Sequence, residues 1–390
     1  MKYIVIIADG AADLPLPQLG TPLHYAETPC LAKLASKAQL GQSCLIPKGC
    51  PPGSLPALLT LLGASADACQ GGRAALEALA LGVTFDSPLT AFRCNLISLQ
   101  EGCITAHDAG GITQAEAEQL IESLSASLGD ACHTFVSGTT YRALLLRKGI
   151  DSVFDSPPPE TLIGQPAQSH LPKDADLCRL FVQAQKILAG HSVNLARQAN
   201  GKLPANAIWF WGGGTLPNLP AFPVQTGLRG AVIGGVPLIR GIGQAMQLSV
   251  LSVPHTDGTL YTNWEGKAFA ALEALRQMDF VLIHAEAPDE AGHAGSFSQK
   301  VAALEYLDQR LLAPLTERLE QNKTDFRMLI LPDHPTPVCL RHHTADPIPF
   351  LLYDSRRPQS GGIFDEQHTQ TLPMTSGTAL LNLLLERTSL

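Results

Sequence analysis

Asp289 and His293 lie four residues apart, and the adjacent pair Asp333-His334 is followed within a short loop by His343. Asp9, near the amino end, offers a further carboxylate. Each group follows an apolar, strand-like run. Asp9 ends Tyr3-Ile4-Val5-Ile6-Ile7-Ala8, the Asp289 group comes after Phe280-Val281-Leu282-Ile283-His284, and Asp333 comes after Met328-Leu329-Ile330-Leu331-Pro332. In an open α/β sheet, ligands bind in the crevice beyond the carboxyl ends of the strands. Three strand endings of metal-ligand type therefore point to one site assembled from both ends of the chain. Carboxylates with imidazoles suit zinc or manganese, and a carboxylate-rich pair of sites suits two-metal phosphoryl chemistry. Asp is common just after strands and His occurs anywhere, so one such ending would mean little. Three together favour a metal site.

The elements that must hold these residues alternate between strand and helix, as in a mostly parallel sheet covered on both faces. After the opening strand a helix is expected over 29–37. The stiff loop Pro47-Lys48-Gly49-Cys50-Pro51-Pro52-Gly53-Ser54 then leads into a buried helix over 57–62. Ser54 stands at the entry of that helix, where capping is its everyday role. The same position also favours a bound anion. From about Thr84 the texture turns hairpin-like, with strands at 91–98, 134–136 and 143–146 and a capping box, Thr113 with Glu116, opening a helix. Asp155-Ser156-Pro157-Pro158-Pro159 reads as a loop, and helix-like sequence over 174–199 precedes a strand at 207–211. The expectation is a smaller α+β lid or substrate domain, residues 85–205, inserted into a core made of 1–84 and 206–390. Past the insertion, strands are expected at 230–233, 248–252, 280–284, 328–332 and 349–353, with helices over 263–278, 299–321 and 376–387. Gly212-Gly213-Gly214 and Arg240-Gly241-Ile242-Gly243 both read as turns.

Composition narrows the class. A chain of 390 residues exceeds what one core normally supports, so two domains are expected. Its 45% hydrophobic and 16% charged content suits a globular protein. A formal net charge of −8 argues against nucleic acid held by phosphate neutralisation, while an anionic small molecule gripped by a few arginines remains open. The amino-terminal apolar run is too short for a signal peptide, and no apolar stretch reaches membrane-span length. Nine scattered cysteines without a Cys-x-x-Cys pair suit reduced thiols in a cytoplasmic protein. Oligomeric state is not encoded in any of these features.

The chain resembles the archaeal-type, cofactor-independent phosphoglycerate mutases of the alkaline phosphatase superfamily along nearly its whole length. The motifs that carry the likeness are Ala8-Asp9-Gly10, Pro51-Pro52-Gly53-Ser54, Gly72-Arg73, Ala91-Phe92-Arg93-Cys94-Asn95-Leu96, Tyr141-Arg142, Trp209-Phe210-Trp211-Gly212, Ala287-Pro288-Asp289-Glu290-Ala291-Gly292-His293 and Asp333-His334-x-Thr336-Pro337. The resemblance implies an alkaline-phosphatase-like α/β fold and two divalent metal ions (Mn, Zn or Mg), with no need for 2,3-bisphosphoglycerate. It implies that Asp9, Ser54, Asp333 and His334 surround one ion, and that Asp289, His293 and His343 hold the other. Ser54 would be the nucleophile, forming a phosphoserine as 3-phosphoglycerate and 2-phosphoglycerate interconvert. Arg93, Arg142 and Arg240 are the candidates to grip phosphate and carboxylate, since a guanidinium fork binds either bidentately. Leu55 and Leu58 stand where the family usually has Asp and Asn, and Thr215-Leu216 where relatives commonly carry Lys. A related phosphatase or phosphotransferase, such as a homoserine kinase-like enzyme, and a catalytically weak metabolite-binding relative are the alternatives.

Overall fold

A computed structural model of the chain describes residues 1–69, 72–149 and 156–387. Asp155, part of the expected loop, lies outside them. Thirteen strands occur among the described residues: β1 (Lys2–Ala8), β2 (Gln39–Cys44), β3 (Leu89–Gln100), β4 (Cys103–Ala106), β5 (His133–Ser137), β6 (Arg142–Lys148), β7 (Ala207–Gly214), β8 (Gly230–Ile233), β9 (Ser249–Leu251), β10 (Phe280–Ala285), β11 (Phe326–Leu331), β12 (Ile348–Asp354) and β13 (Met374–Ser376). The chain divides into two compact units, Met1–Gln70 with Asn218–Leu390, and Gly71–Pro217.

The first unit is built on an eight-stranded sheet in the order β13-β2-β12-β11-β1-β10-β8-β9. β1 lies between β10 and β11 and is parallel to both. Only β12 is reversed, pairing antiparallel with β11 and β2. Every residue of β10, β11 and β12 is buried. In β1, Ile4, Ile6 and Ala8 belong to one core, packed with Trp264, Leu304 and Leu311 from helices on that side. Val5 and Ile7 are equally buried on the opposite face. Cover on both faces is what allows continuous apolar runs instead of alternation.

The second unit carries its own sheet, β4-β3-β6-β5, with β7 added on β3. Its core gathers Phe92, Leu96, Phe135, Leu145, Phe181, Trp209 and Phe210. Thr113 and Glu116 form the expected capping box on the helix Gln114–Leu128.

Several local expectations fail for identifiable reasons. The Gly212-Gly213-Gly214 run is not a turn but the end of β7, paired with β3. Glycine is required there by crowding, because a Cβ on Gly213 would strike the ring of Phe92. Arg240-Gly241-Ile242-Gly243 is not a turn either; it lies within the helix Pro237–Ala245, which starts at a proline suited to the first helical position. The 174–199 segment is two helices, Ala175–Ala189 and Ser192–Ala199, parted at Gly190 and His191. The helix expected over 299–321 is interrupted by a π-helical turn, Leu307–Leu312, between Phe297–Tyr306 and Ala313–Gln321. β9 is the strand expected over 248–252, whereas β2 and β13 had no counterpart in the sequence pattern.

Candidate metal centre

All the carboxylates and imidazoles singled out as metal ligands belong to the first unit, and the sheet delivers them to one place. The parallel register sets Ile7 opposite His284 and Leu331, so the three central strands end level with one another. Asp9 follows β1 directly and Asp333 lies two residues beyond β11. Asp289 and His293 sit on the helix Ala287–Ala294 just after β10, where a spacing of four puts both on one face. Their His293 Nε2 to Asp289 Oδ2 distance is 3.3 Å.

Besides His24, Asp365 and His368, three groups among the described residues offer potential ligand atoms within 4.8 Å of one another: Asp289, His293 and His343; Asp9, Asp289 and His334; and Asp9, His284 and Asp333. Ser54 joins the second group, its Oγ 3.3 Å from Asp9 Oδ1 and 3.3 Å from His334 Nε2. That hydroxyl caps nothing. The helix Ser54–Leu61 begins at Ser54 itself with Gly53 as its cap residue, and no side chain bonds the first turn. The everyday role of a serine at a helix entry is therefore absent, and the side chain is directed at the carboxylate and imidazole instead.

The imidazoles are oriented alike. His293 Nδ1 is 3.0 Å from the carbonyl oxygen of Arg341, and His343 Nδ1 is 3.3 Å from that of Pro52. His334 Nδ1 is 3.3 Å from Thr336 Oγ1. Each ring can thus donate Nδ1–H outward, leaving its Nε2 lone pair facing the cluster, as metal-bound histidines are usually held. Thr336 Oγ1 also donates to Asp289 Oδ1, at 2.5 Å, and so steadies two ligand groups at once. Asp333 Oδ1 accepts from the backbone N–H of Gly10 and of His334. Asp333 Oδ2 is buried without a hydrogen bond, 3.4 Å from His334 Nε2. Gly10 has φ +59°, and a Cβ there would collide with Asp289 and Thr336, so only glycine lets the β1 loop come this close.

The electrostatics are those of a site suited to cations. Burial, with Asp333, Asp289 and Glu286 nearby, pushes the Asp9 carboxyl well above its usual range. Burial acts the same way on Asp289, but hydrogen bonds and charge from His293 and His343 outweigh it and hold Asp289 low. Asp289 in turn raises His293 to about 9. A buried carboxylate oxygen without a hydrogen bond and convergent imidazole nitrogens fit a divalent ion well. Asp9, Ser54, Asp333 and His334, with His293, His343 and Asp289, are the residues placed to hold ions here.

The arginines are situated differently. Arg240 lines a cavity of about 210 Å³ with Gly234, Gly235, Ser252, Val253, His255 and Thr256, and its buried Nε has no partner. In the second unit, Arg93 is buried, donates Nε–H to Glu77 Oε2 at 2.8 Å and stacks over Trp211. Burial pulls it down to about 10, against the attraction of Glu77. Arg142 is exposed beside Tyr141. Sequence reasoning passed over His284, Glu286, Lys267 and the site role of Thr336. For His284, Glu286 and Thr336 the one signal available was their place within or next to motifs already noted.

Comparison with known proteins places the chain in a family of metalloenzymes. The model of the Metalloenzyme superfamily matches residues 1–387. A protein from Methanosarcina mazei named 2,3-bisphosphoglycerate-independent phosphoglycerate mutase is 39% identical over 99% of this chain and all of its own length. One from Geobacter sulfurreducens, named a probable enzyme of the same kind, is also 39% identical over 99% of this chain and all of its own. Among solved structures, the cofactor-independent phosphoglycerate mutase of Thermoplasma acidophilum superposes with a TM-score of 0.62 at 26% identity, covering 99% of both chains. A Pyrococcus horikoshii protein superposes with a TM-score of 0.82 at 26% identity, over 100% of this chain and 98% of its own. With the family model spanning nearly every residue and relatives this similar end to end, the chain belongs to the Metalloenzyme superfamily and, within it, to the family of the cofactor-independent phosphoglycerate mutases.

Proposed function

We propose that this protein is a metal-dependent phosphoglycerate mutase that interconverts 3-phosphoglycerate and 2-phosphoglycerate through a phosphoserine on Ser54, without 2,3-bisphosphoglycerate. The observation that carries this reading is the Ser54 hydroxyl, free of any capping bond and set against Asp9 and His334 within the ligand cluster. Divalent ions bound there would neutralise charge on the attacking and leaving oxygens and make the serine oxygen a better nucleophile. Ser54 Oγ forms a bond to phosphorus as the bond to the glycerate oxygen breaks. The other glycerate hydroxyl then attacks the same phosphorus and returns Ser54 to its starting state. No phosphate is gained or lost, so the net reaction is an isomerisation.

Arg240, with its unpartnered Nε at a cavity edge, is proposed to bind a substrate anion. Arg93 and Arg142 have the same proposed role on the inserted segment, expected from sequence at 85–205. Arg142→Ala should then raise KM more than it lowers kcat. Manganese, zinc and magnesium are the candidate ions, and a cytoplasmic setting is part of the proposal. No helix among the described residues is long and apolar enough to cross a membrane.

A second reading, the same chemistry on a different phosphorylated metabolite, is favoured by Leu55 and Leu58, both buried on the helix that Ser54 begins. Phosphorus NMR of metal-loaded protein with 3-phosphoglycerate decides between them. Accumulation of 2-phosphoglycerate without added bisphosphoglycerate supports the mutase. Release of inorganic phosphate, or no reaction, favours the second reading.

A further inference from the structure

His284, in β10, is completely buried, yet neither ring nitrogen has a hydrogen-bond partner. Leaving a buried polar group unpaired costs on the order of 1–3 kcal/mol, so such a group calls for a reason. Its surroundings are charged. Nδ1 is 3.5 Å from Glu286 Oε1, and Nε2 is 3.6 Å from Asp9 Oδ2. A ring nitrogen of His284 and carboxylate oxygens of Asp9 and Asp333 all lie within 4.8 Å of one another. Asp333 Oδ2, like the imidazole, is buried without a hydrogen bond, 3.4 Å from His334 Nε2. Unsatisfied groups from two strands and a third carboxylate therefore converge on one point.

The far side of the ring is fixed. Buried Lys267 donates through Nζ to Glu286 Oε2 at 2.6 Å and to the carbonyl oxygen of His284 at 2.7 Å. The backbone N–H of Gly235 donates to Glu286 Oε1 at 2.6 Å. Lys267 thus ties the His284 backbone and the Glu286 carboxylate together. Asp9, Asp333 and Glu286 outnumber the one lysine, which leaves this pocket short of positive charge.

We propose that His284 is a further ligand of the buried cation position formed by Asp9 and Asp333, its Nδ1–H turned toward Glu286 and its Nε2 lone pair toward the ion. Metal-bound imidazoles characteristically donate their other N–H to a carboxylate, which fixes the tautomer and strengthens the ligand nitrogen. Glu286 is placed for that role, and Lys267 keeps it in position. The cation fills the gap between His284 and Asp9, which are too far apart to hydrogen-bond.

The inference rests on the metal reading of the site and not on the identity of the substrate, so the test measures metal. Metal-free wild type and His284→Gln are titrated with zinc by equilibrium dialysis, and thermal melts of both are recorded without metal. The variant is expected to lose about 10–100-fold in affinity for one ion while the other is held as before. Unchanged affinity for both ions would overturn the proposal. In case the variant does not fold, nitrogen-15 histidine NMR of the wild type gives a separate readout. On zinc loading, His284 Nε2 should respond together with His293, His334 and His343, and a response confined to those three overturns the proposal. Wild type that takes up no zinc would overturn the metal reading itself, and this inference with it.

Discussion

Replacing Ser54 by alanine separates a nucleophile from a helix-entry residue, because the two roles predict effects of very different size. The side chain makes two contacts, each 3.3 Å, to Asp9 Oδ1 and His334 Nε2. A hydrogen bond contributes about 0.5–1.5 kcal/mol, and these long ones belong at the lower end. The roughly 1 kcal/mol normally lost with an N-cap is not at stake, since Gly53 occupies that position. The variant should therefore lose less than about 1 kcal/mol of stability, a shift of no more than a few degrees in Tm. Removing a covalent nucleophile, by contrast, lowers kcat by a factor on the order of 10⁶ where that has been measured. At 1.36 kcal/mol per tenfold, this is about 8 kcal/mol in the barrier. The assay pairs a thermal melt with mutase turnover, and adds peptide mass mapping of wild type quenched during reaction, in which a phosphorylated Ser54 peptide is expected. Turnover by Ser54→Ala within tenfold of wild type would refute the nucleophile assignment. A large loss of stability alongside lost activity would refute the structural half of the argument.

Three further outcomes follow from the same geometry. Thr336→Val keeps shape but removes the donor to Asp289 and the partner of His334 Nδ1, so metal affinity should fall about 10–100-fold, read by equilibrium dialysis. Leu58→Asn places an amide where the leucine is 1% exposed and should destabilise the fold by about 3–5 kcal/mol in a denaturant titration, whatever it does to turnover. Asp289 raises His293 to about 9, so in the metal-free protein this ring carries a proton at neutral pH. Proton and metal then compete for it below that value and cease to compete above it. Zinc affinity should rise with pH up to about 9 and level off, and calorimetry in buffers of different ionisation enthalpy should show proton release at pH 7.5 that vanishes above 9.

The candidate centre was legible in the chain because the signals for it are local. β1, β10 and β11 are buried along most of their length, so their sequences are mainly apolar, and the candidate ligand residues stand just past their ends. The helical spacing of Asp289 and His293 depends only on residues within two turns. Likeness to a known family supplied the second-metal assignment and the part given to Ser54, neither of which follows from pattern alone.

Tertiary structure decided whatever depends on partners distant in sequence. The sequence of β12 does not state its direction; its reversal appears only when it pairs with β11 and β2. The Gly212-Gly213-Gly214 run is extended because β3 pairs with it and the Phe92 ring leaves no room for a side chain, information carried about 120 residues away. The position of Ser54 by itself allows a cap, and only packing aims its hydroxyl at Asp9 and His334. His284 looked like the last apolar-run residue of a strand. Its setting comes from Glu286 and Lys267 on one side and from Asp9, 275 positions earlier, on the other. A residue's type and spacing follow from the chain itself, but the charges that face it are set by folding.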